Sequence, residues 1–187
     1  MADDARGEEL ESAVVRAYVL RVGALIRGLS RDPAQAGKFV AGSGCKDMGM
    51  ADIRQVSERF WVAPQIMPED FAQLASAGFK HIINNRPDSE APDEMTSAKA
   101  EAAAKAAGLT YVYAPFVGQP TADAVKAALN ASTRTLAYCR SGTRSVTAWA
   151  MAEASQGEDV QYIIEAAADA GYNLAPMTGL LKQLGAK

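Results

Sequence analysis

Short apolar runs alternate with alanine-rich segments of helical periodicity from residue 53 to the end of the chain. The apolar runs predict four strands, at residues 60–63, 80–84, 109–114 and 135–138. The remaining segments predict helices at residues 68–77, 94–107, 121–131, 145–155, 158–170 and 177–184. Such strand–helix units favour an α/β fold, with a mainly parallel central sheet of about four or five strands and helices on both faces.

The first 49 residues follow a different pattern. Residues 8–29 predict one amphipathic helix, and the Gly-Ser-Gly run at residues 42–44 predicts a linker. We therefore expect an N-terminal accessory helix and linker at residues 1–49 and a catalytic domain at residues 50–187. The helix would pack on that domain or on a second copy, which would make a homo-oligomer. A natural start at Met48 or Met50 is the alternative.

Composition and charge narrow the classes of function. Hydrophobic residues make up 49% and charged residues 22% of the 187, which suits a globular domain. The net charge of −3 provides no field to attract nucleic acid. Three arginines interrupt the apolar run at residues 13–29, and no secretory signal is evident, so we expect a cytoplasmic protein that binds no membrane. One histidine and two cysteines argue against a metal site, and we expect no cofactor.

A reactive cysteine is predicted where the fourth strand ends. Cys139 follows that strand directly and precedes a short polar loop and a helix. Ligand sites of open α/β sheets lie at the edge where the parallel strands end. The backbone amides of such a loop and of a helix N-terminus bind anions. We expect them, with Arg144, to favour the thiolate form of Cys139 and so make it a nucleophile. Ser145 would donate to the thiolate or cap the helix. The predicted anion-binding loop consists of Arg140, Ser141, Gly142 and Thr143.

A second polar segment follows the strand at residues 80–84 and should emerge at the same edge of the sheet. Asn85, Arg86 and Asp88 in this segment are candidates for substrate binding. Arg86 would alternatively pair with Asp88 or Glu90 as a loop brace. The asparagines would alternatively hydrogen-bond within the turn, as asparagine commonly does.

Two stretches carry a resemblance to a known family. Residues 82–90, Ile-Ile-Asn-Asn-Arg-Pro-Asp-Ser-Glu, and residues 138–145, Tyr-Cys-Arg-Ser-Gly-Thr-Arg-Ser, resemble the bacterial beta-lactamase hydrolase-like, phosphatase-like domain family. The resemblance extends over about residues 50–160. It implies a fold similar to the dual-specificity protein tyrosine phosphatases and an enzyme that uses a catalytic cysteine.

Two features bear on the reaction. Arg144 follows Cys139 with four residues between them, as in rhodanese-type sulfurtransferases, whereas phosphatases of this superfamily have five. The shorter loop makes a smaller cradle, which favours a persulfide over a phosphoryl group. Asp123 is the only carboxylate available after the third strand to protonate a leaving oxygen, and its place just inside a helix favours a capping role.

We therefore expect a cysteine-dependent enzyme and favour sulfur transfer through a persulfide on Cys139, with a small anionic sulfur donor and a thiol acceptor as partners. The alternative is a phosphatase acting on phosphomonoesters through a thiophosphate on Cys139, with Arg144 binding the phosphoryl oxygens and Asp123 as the acid. A third hypothesis is a non-catalytic module in which oxidation of Cys139 senses redox state or the site merely binds an anion.

Overall fold

The computed structural model describes residues 52–91 and 93–187. The predicted N-terminal helix, its linker and any oligomer contact made through them lie outside the described residues. None of the helices in the described part of the chain has the length and apolar character that crossing a bilayer requires.

A five-stranded mixed sheet forms the centre of the domain. Its strands follow the order β1-β2-β5-β3-β4 across the sheet. The four strands β2 to β5 run parallel to one another, and β1 pairs antiparallel with β2. The prediction of a mainly parallel α/β sheet is therefore confirmed. The strands are β1 Arg54–Gln55, β2 Phe60–Ala63, β3 His81–Asn84, β4 Thr110–Tyr113 and β5 Thr135–Tyr138.

Within the described residues, six α-helices connect and follow the parallel strands. They are α1 Asp70–Ser76, α2 Ser97–Ala106, α3 Ala122–Leu129, α4 Thr143–Ser155, α5 Val160–Asp169 and α6 Thr178–Leu184. Short 3₁₀ turns cover Asp88–Glu90, Asp93–Met95 and Ala175–Met177. All six helix starts differ from the prediction by one to three residues, and two of these differences bear on the site. Helix α2 begins after the 3₁₀ turn, with Thr96 as its N-cap, and α4 begins at Thr143 because Gly142 is its N-cap.

The alternation of side chains along β5 divides the core between two faces of the sheet. Leu136 packs with residues of α1 and α2, whereas Ala137 packs with residues of α3, α4, α5 and α6. Both side chains are fully buried. Helices thus cover both faces of the sheet, as predicted, and the central strand is fixed from both sides.

The parallel register brings four loops together at one edge of the sheet. Tyr138, the last residue of β5, lies opposite Ala63 of β2 and Asn84 of β3, and Asn84 in turn lies opposite Tyr113 of β4. The segments that follow these four residues therefore start side by side. This edge is where open α/β sheets place their ligand sites.

The position of β5 makes its core residues critical for stability. We expect Leu136→Ala to lower the free energy of unfolding by about 2–5 kcal/mol, since it leaves a cavity at the centre of the sheet. Val112→Ala on the edge strand β4, where the side chain is 38% exposed, should cost about 1 kcal/mol or less. Urea unfolding of both variants measures the difference, and equal losses would contradict the central placement of β5.

Candidate active site

The end of β5 and the start of α4 meet at the sulfur of Cys139. This side chain is 1% exposed. The backbone N–H of Gly142 donates a hydrogen bond to Cys139 Sγ over 3.1 Å. Because Gly142 is the N-cap of α4, the sulfur accepts from an amide at the positive end of the helix dipole. A hydrogen bond of this kind suits a nucleophilic sulfur, and the thiolate form of Cys139 stays a prediction.

Gly142 and Tyr172 hold the loop in place. Gly142 has φ of +88°, a left-handed conformation that favours glycine. A Cβ atom at this position would lie 2.0 Å from the Tyr172 hydroxyl oxygen. That hydroxyl donates to the Ser141 carbonyl over 3.2 Å, and burial raises the pKa of Tyr172, so the phenol keeps its proton. Sequence reasoning missed Tyr172, which lies beyond α5 in a segment without a motif.

Arg144 is anchored by two neighbouring loops. Its Nη1 donates to the Phe116 carbonyl over 3.1 Å, and its Nη2 lies 2.5 Å from the Glu90 carboxylate. The loops after β3 and β4 thus both hold the guanidinium beside the cysteine loop. Sequence reasoning considered Glu90 only as a partner for Arg86 and missed this ion pair, because 54 residues separate Glu90 from Arg144.

Arg86 connects the loops that follow β2 and β3. Its Nη1 donates to Gln65 Oε1 over 2.7 Å, and its Nη2 donates to the backbone carbonyl of Glu90. The alternative of a loop brace therefore fits these contacts, although the acceptor on Glu90 is its carbonyl and not its carboxylate. By fixing the Glu90 backbone, Arg86 also helps to place the carboxylate that holds Arg144.

The other polar residues at and after the end of β3 make hydrogen bonds within the fold, although the buried Asn85 Oδ1 has no partner among the described residues. Asn84 Oδ1 accepts from the Arg86 N–H, and Asn85 Nδ2 donates to the Ala114 carbonyl over 2.9 Å. The Asp88 carboxylate accepts from both the N–H and the hydroxyl of Ser97, over 2.7 and 2.6 Å, at the start of α2. These contacts shape the loop, and substrate binding by Asn85, Arg86 and Asp88 stays a prediction.

Ser145 has neither of the two hydrogen bonds that the sequence suggests. It is the third residue of α4 and therefore cannot cap a helix that begins at Thr143. Its hydroxyl is fully buried and has no hydrogen-bond partner within residues 52–91 and 93–187. Elsewhere in the loop the hydroxyls of Ser141 and Thr143 lie 3.1 Å apart, and the Arg140 side chain is exposed.

Asp123 occupies the first turn of α3, where Thr121 is the N-cap. It is exposed, and it lines a groove of about 390 Å³ together with His81 and Lys126. The lining of this groove includes none of residues 139–145. The structure thus shows no contact that brings Asp123 to the cysteine, and its role as an acid stays a prediction. The part of the chain that the structure describes also contains no cluster of side chains suited to a metal ion.

Comparisons with known proteins agree with this geometry. The family model "Beta-lactamase hydrolase-like protein, phosphatase-like domain" matches residues 52–156. A beta-lactamase hydrolase-like protein of Agrobacterium fabrum is 36% identical over 108 residues, which are 55% of this chain and 25% of that protein. The chain thus spans only about a quarter of this relative's length.

Solved structures show the same fold. The crystal structure of a candidate phosphatase from Neisseria meningitidis is similar with a TM-score of 0.61 and 31% identity, covering 71% of this chain and 98% of that one. The core catalytic domain of the PP-IP phosphatase Siw14 from S. cerevisiae has a TM-score of 0.52 and 19% identity over 70% of this chain and 83% of that one. The second likeness is evidence for the fold alone.

The contact between Gly142 and Tyr172 leads to a stability prediction. Gly78 has φ of +89° and open space around it, so Gly78→Ala carries only the left-handed backbone cost of about 1–2 kcal/mol. Gly142→Ala must also displace a buried phenol, and we expect it to cost about 1–3 kcal/mol more than the matched variant. Urea unfolding compares the two, and equal losses would show that Tyr172 does not pack against Gly142.

Proposed function

The chain belongs to the family of beta-lactamase hydrolase-like, phosphatase-like domains, and from this membership we propose that it is a cysteine-dependent phosphatase that hydrolyses phosphomonoesters. The observation that carries the proposal is the hydrogen bond from the Gly142 amide to Cys139 Sγ, beside an arginine anchored by two loops. The family and its phosphatase-fold neighbours favour this alternative over sulfur transfer.

The first step transfers the phosphoryl group to Cys139. The thiolate attacks phosphorus and forms an S–P bond, while the bond from phosphorus to the leaving oxygen breaks and its electron pair departs with that oxygen. The loop amides and Arg144 stabilise the charge on the other phosphoryl oxygens. A guanidinium has five N–H donors, of which the contacts to Phe116 and Glu90 use two. The others remain for the substrate.

Water completes the reaction in the second step. It attacks phosphorus, the S–P bond breaks, and the electron pair returns to sulfur as the proton of the water passes to solvent. In this proposal Ser145 assists, because its buried hydroxyl has no other partner among the described residues and can donate to the thiolate that re-forms. Arg140, Ser141, Gly142 and Thr143 supply the loop that surrounds the group.

Sulfur transfer is the second candidate, and one specific observation favours it. Only four residues separate Cys139 from Arg144, which makes a smaller ring of amides than the five-residue spacing of related phosphatases. A persulfide on Cys139 would need room for one sulfur atom, whereas a phosphoryl group presents three oxygens to the loop. The same thiolate and the same arginine would serve this reaction, with thiosulfate as a donor.

Replacing the nucleophile tests the proposal directly. We expect Cys139→Ser to lower the hydrolysis of 4-nitrophenyl phosphate by about 1,000-fold or more, because the serine hydroxyl is a far weaker nucleophile than a thiolate. Cys45→Ser makes the same change at the other cysteine of the chain and should leave the rate unchanged. Thiosulfate-dependent sulfur transfer is measured in parallel. Sulfur transfer that depends on Cys139, without phosphate release, would contradict the proposal.

Arg144 gives a second prediction. Arg144→Ala should lower kcat/KM for 4-nitrophenyl phosphate by about 100-fold or more, since it removes donors to the phosphoryl oxygens. Arg144→Lys should recover only part of this loss, because one ammonium group cannot form two parallel hydrogen bonds. Arg59→Ala, at an exposed position just before β2, should leave kcat/KM unchanged. Wild-type kcat/KM in Arg144→Ala would exclude the assigned role.

A further inference from the structure

The loop that follows β4 meets the active site through a backbone carbonyl. Residues 114–121 read Ala-Pro-Phe-Val-Gly-Gln-Pro-Thr, and the Phe116 carbonyl accepts from Arg144 over 3.1 Å. A phosphatase that protonates its leaving group needs an acid within hydrogen-bonding reach of the leaving oxygen. These eight residues have no carboxyl group. This loop therefore contributes a hydrogen-bond acceptor to the site but no carboxylic acid.

The carboxylates held around the arginines are already used as acceptors. Glu90 accepts from Arg144 in an ion pair, with its side chain 34% exposed. Asp88 accepts two hydrogen bonds from Ser97, at the start of α2. In these contacts the carboxylate oxygens accept from N–H or O–H donors, and this occupies both side chains in holding the loops. Both residues therefore act as anchors of the loops.

Asp123 belongs to a different surface. It lines the groove between α3 and the strands β3 and β4, together with His81 and Lys126. It lies in the first turn of α3, where an acidic side chain interacts favourably with the helix dipole. The described contacts of the cysteine loop run instead to Tyr172, Phe116 and Glu90.

We infer that the enzyme expels its leaving group without protonating it, so that its substrates are phosphate compounds whose leaving group is itself a stable anion. This inference rests on the proposed phosphatase function, but it places the preferred substrates among phosphate compounds with acidic leaving groups and not among ordinary phosphomonoesters. Acyl phosphates and phosphoanhydrides, which release a carboxylate or a phosphate, meet the requirement, whereas phosphate esters of alcohols do not.

The charge of the loop agrees with a substrate of this kind. Residues 139–145 include two arginines, Arg140 and Arg144, and no acidic residue. Arg144 is held by Glu90 and Phe116, whereas the side chain of Arg140 is exposed. An exposed cation next to the reacting centre stabilises negative charge that develops on a departing carboxylate or phosphate. Such a cation does not replace the proton that a departing alkoxide needs.

The dependence of kcat/KM on the leaving group tests the inference, because kcat/KM includes the step that expels it. The probes are acetyl phosphate, 4-nitrophenyl phosphate, phenyl phosphate and ethyl phosphate, whose leaving groups are progressively stronger bases. We expect kcat/KM to fall by about 100-fold or more from 4-nitrophenyl to phenyl phosphate, the factor that general acid catalysis would otherwise supply. Acetyl phosphate should react at least as fast as 4-nitrophenyl phosphate, and ethyl phosphate should not react measurably.

A variant at Asp123 tests whether this carboxyl group protonates the leaving group. If Asp123 protonates the leaving group, Asp123→Asn lowers kcat/KM for phenyl phosphate much more than for 4-nitrophenyl phosphate. Glu101→Gln, a half-exposed position on α2, is the matched control for the loss of one carboxylate. A wild-type kcat/KM that differs by less than about tenfold between the two aryl phosphates overturns the inference, whichever residue supplies the proton.

The same measurements separate this inference from the function on which it rests. If hydrolysis of 4-nitrophenyl phosphate requires Cys139 but kcat/KM depends little on the leaving group, the result would support the proposed phosphatase function and contradict the inferred substrate class. A wild-type protein that does not hydrolyse 4-nitrophenyl or acetyl phosphate would contradict the proposed function, and the inference would fall with it.

Discussion

The hydrogen bond from the Gly142 amide to the sulfur of Cys139 is the interaction on which the site depends. It exists because β5 ends at Tyr138 and α4 begins at Thr143, so that the chain must turn within four residues. The turn needs a left-handed residue, and Gly142 provides it. The Tyr172 phenol fills the space beside that glycine. Strand, helix and tyrosine thus fix one amide against one sulfur atom.

Arg144, five residues after Cys139, shows how the sheet topology completes the site. Arg144 belongs to α4, but its guanidinium contacts Phe116 after β4 and Glu90 after β3. These loops meet because the carboxyl ends of parallel strands lie at one edge of the sheet. The acidic partner orients the guanidinium, and the loop that supplies the Phe116 carbonyl has no carboxyl group that could protonate a leaving group. The same contacts therefore support both the anion-binding role and the preference for stable leaving anions.

The sequence pattern predicted those features that depend on residues close together in the chain. The run at residues 135–138 is mostly apolar and matches β5, and the cysteine, glycine and arginine that follow it lie in one short segment. The antiparallel strand β1 was missed because Arg54 and Gln55 form no apolar run. Glu90 and Tyr172 reach the site only through the tertiary fold, so nothing near them in the chain indicates their partners. The start of α4 was placed too late, which led to the incorrect capping role for Ser145.

The most direct test of the central claim is the intact mass of the protein when acid stops it during turnover of 4-nitrophenyl phosphate. A good leaving group makes the first step fast, so the phosphorylated enzyme should accumulate before water cleaves it. We predict that the wild-type protein gains the mass of one phosphoryl group, located on Cys139 by peptide mapping, and that Cys139→Ser gains none. A phosphoryl group on another residue, or turnover that leaves Cys139 unmodified throughout, would contradict the account.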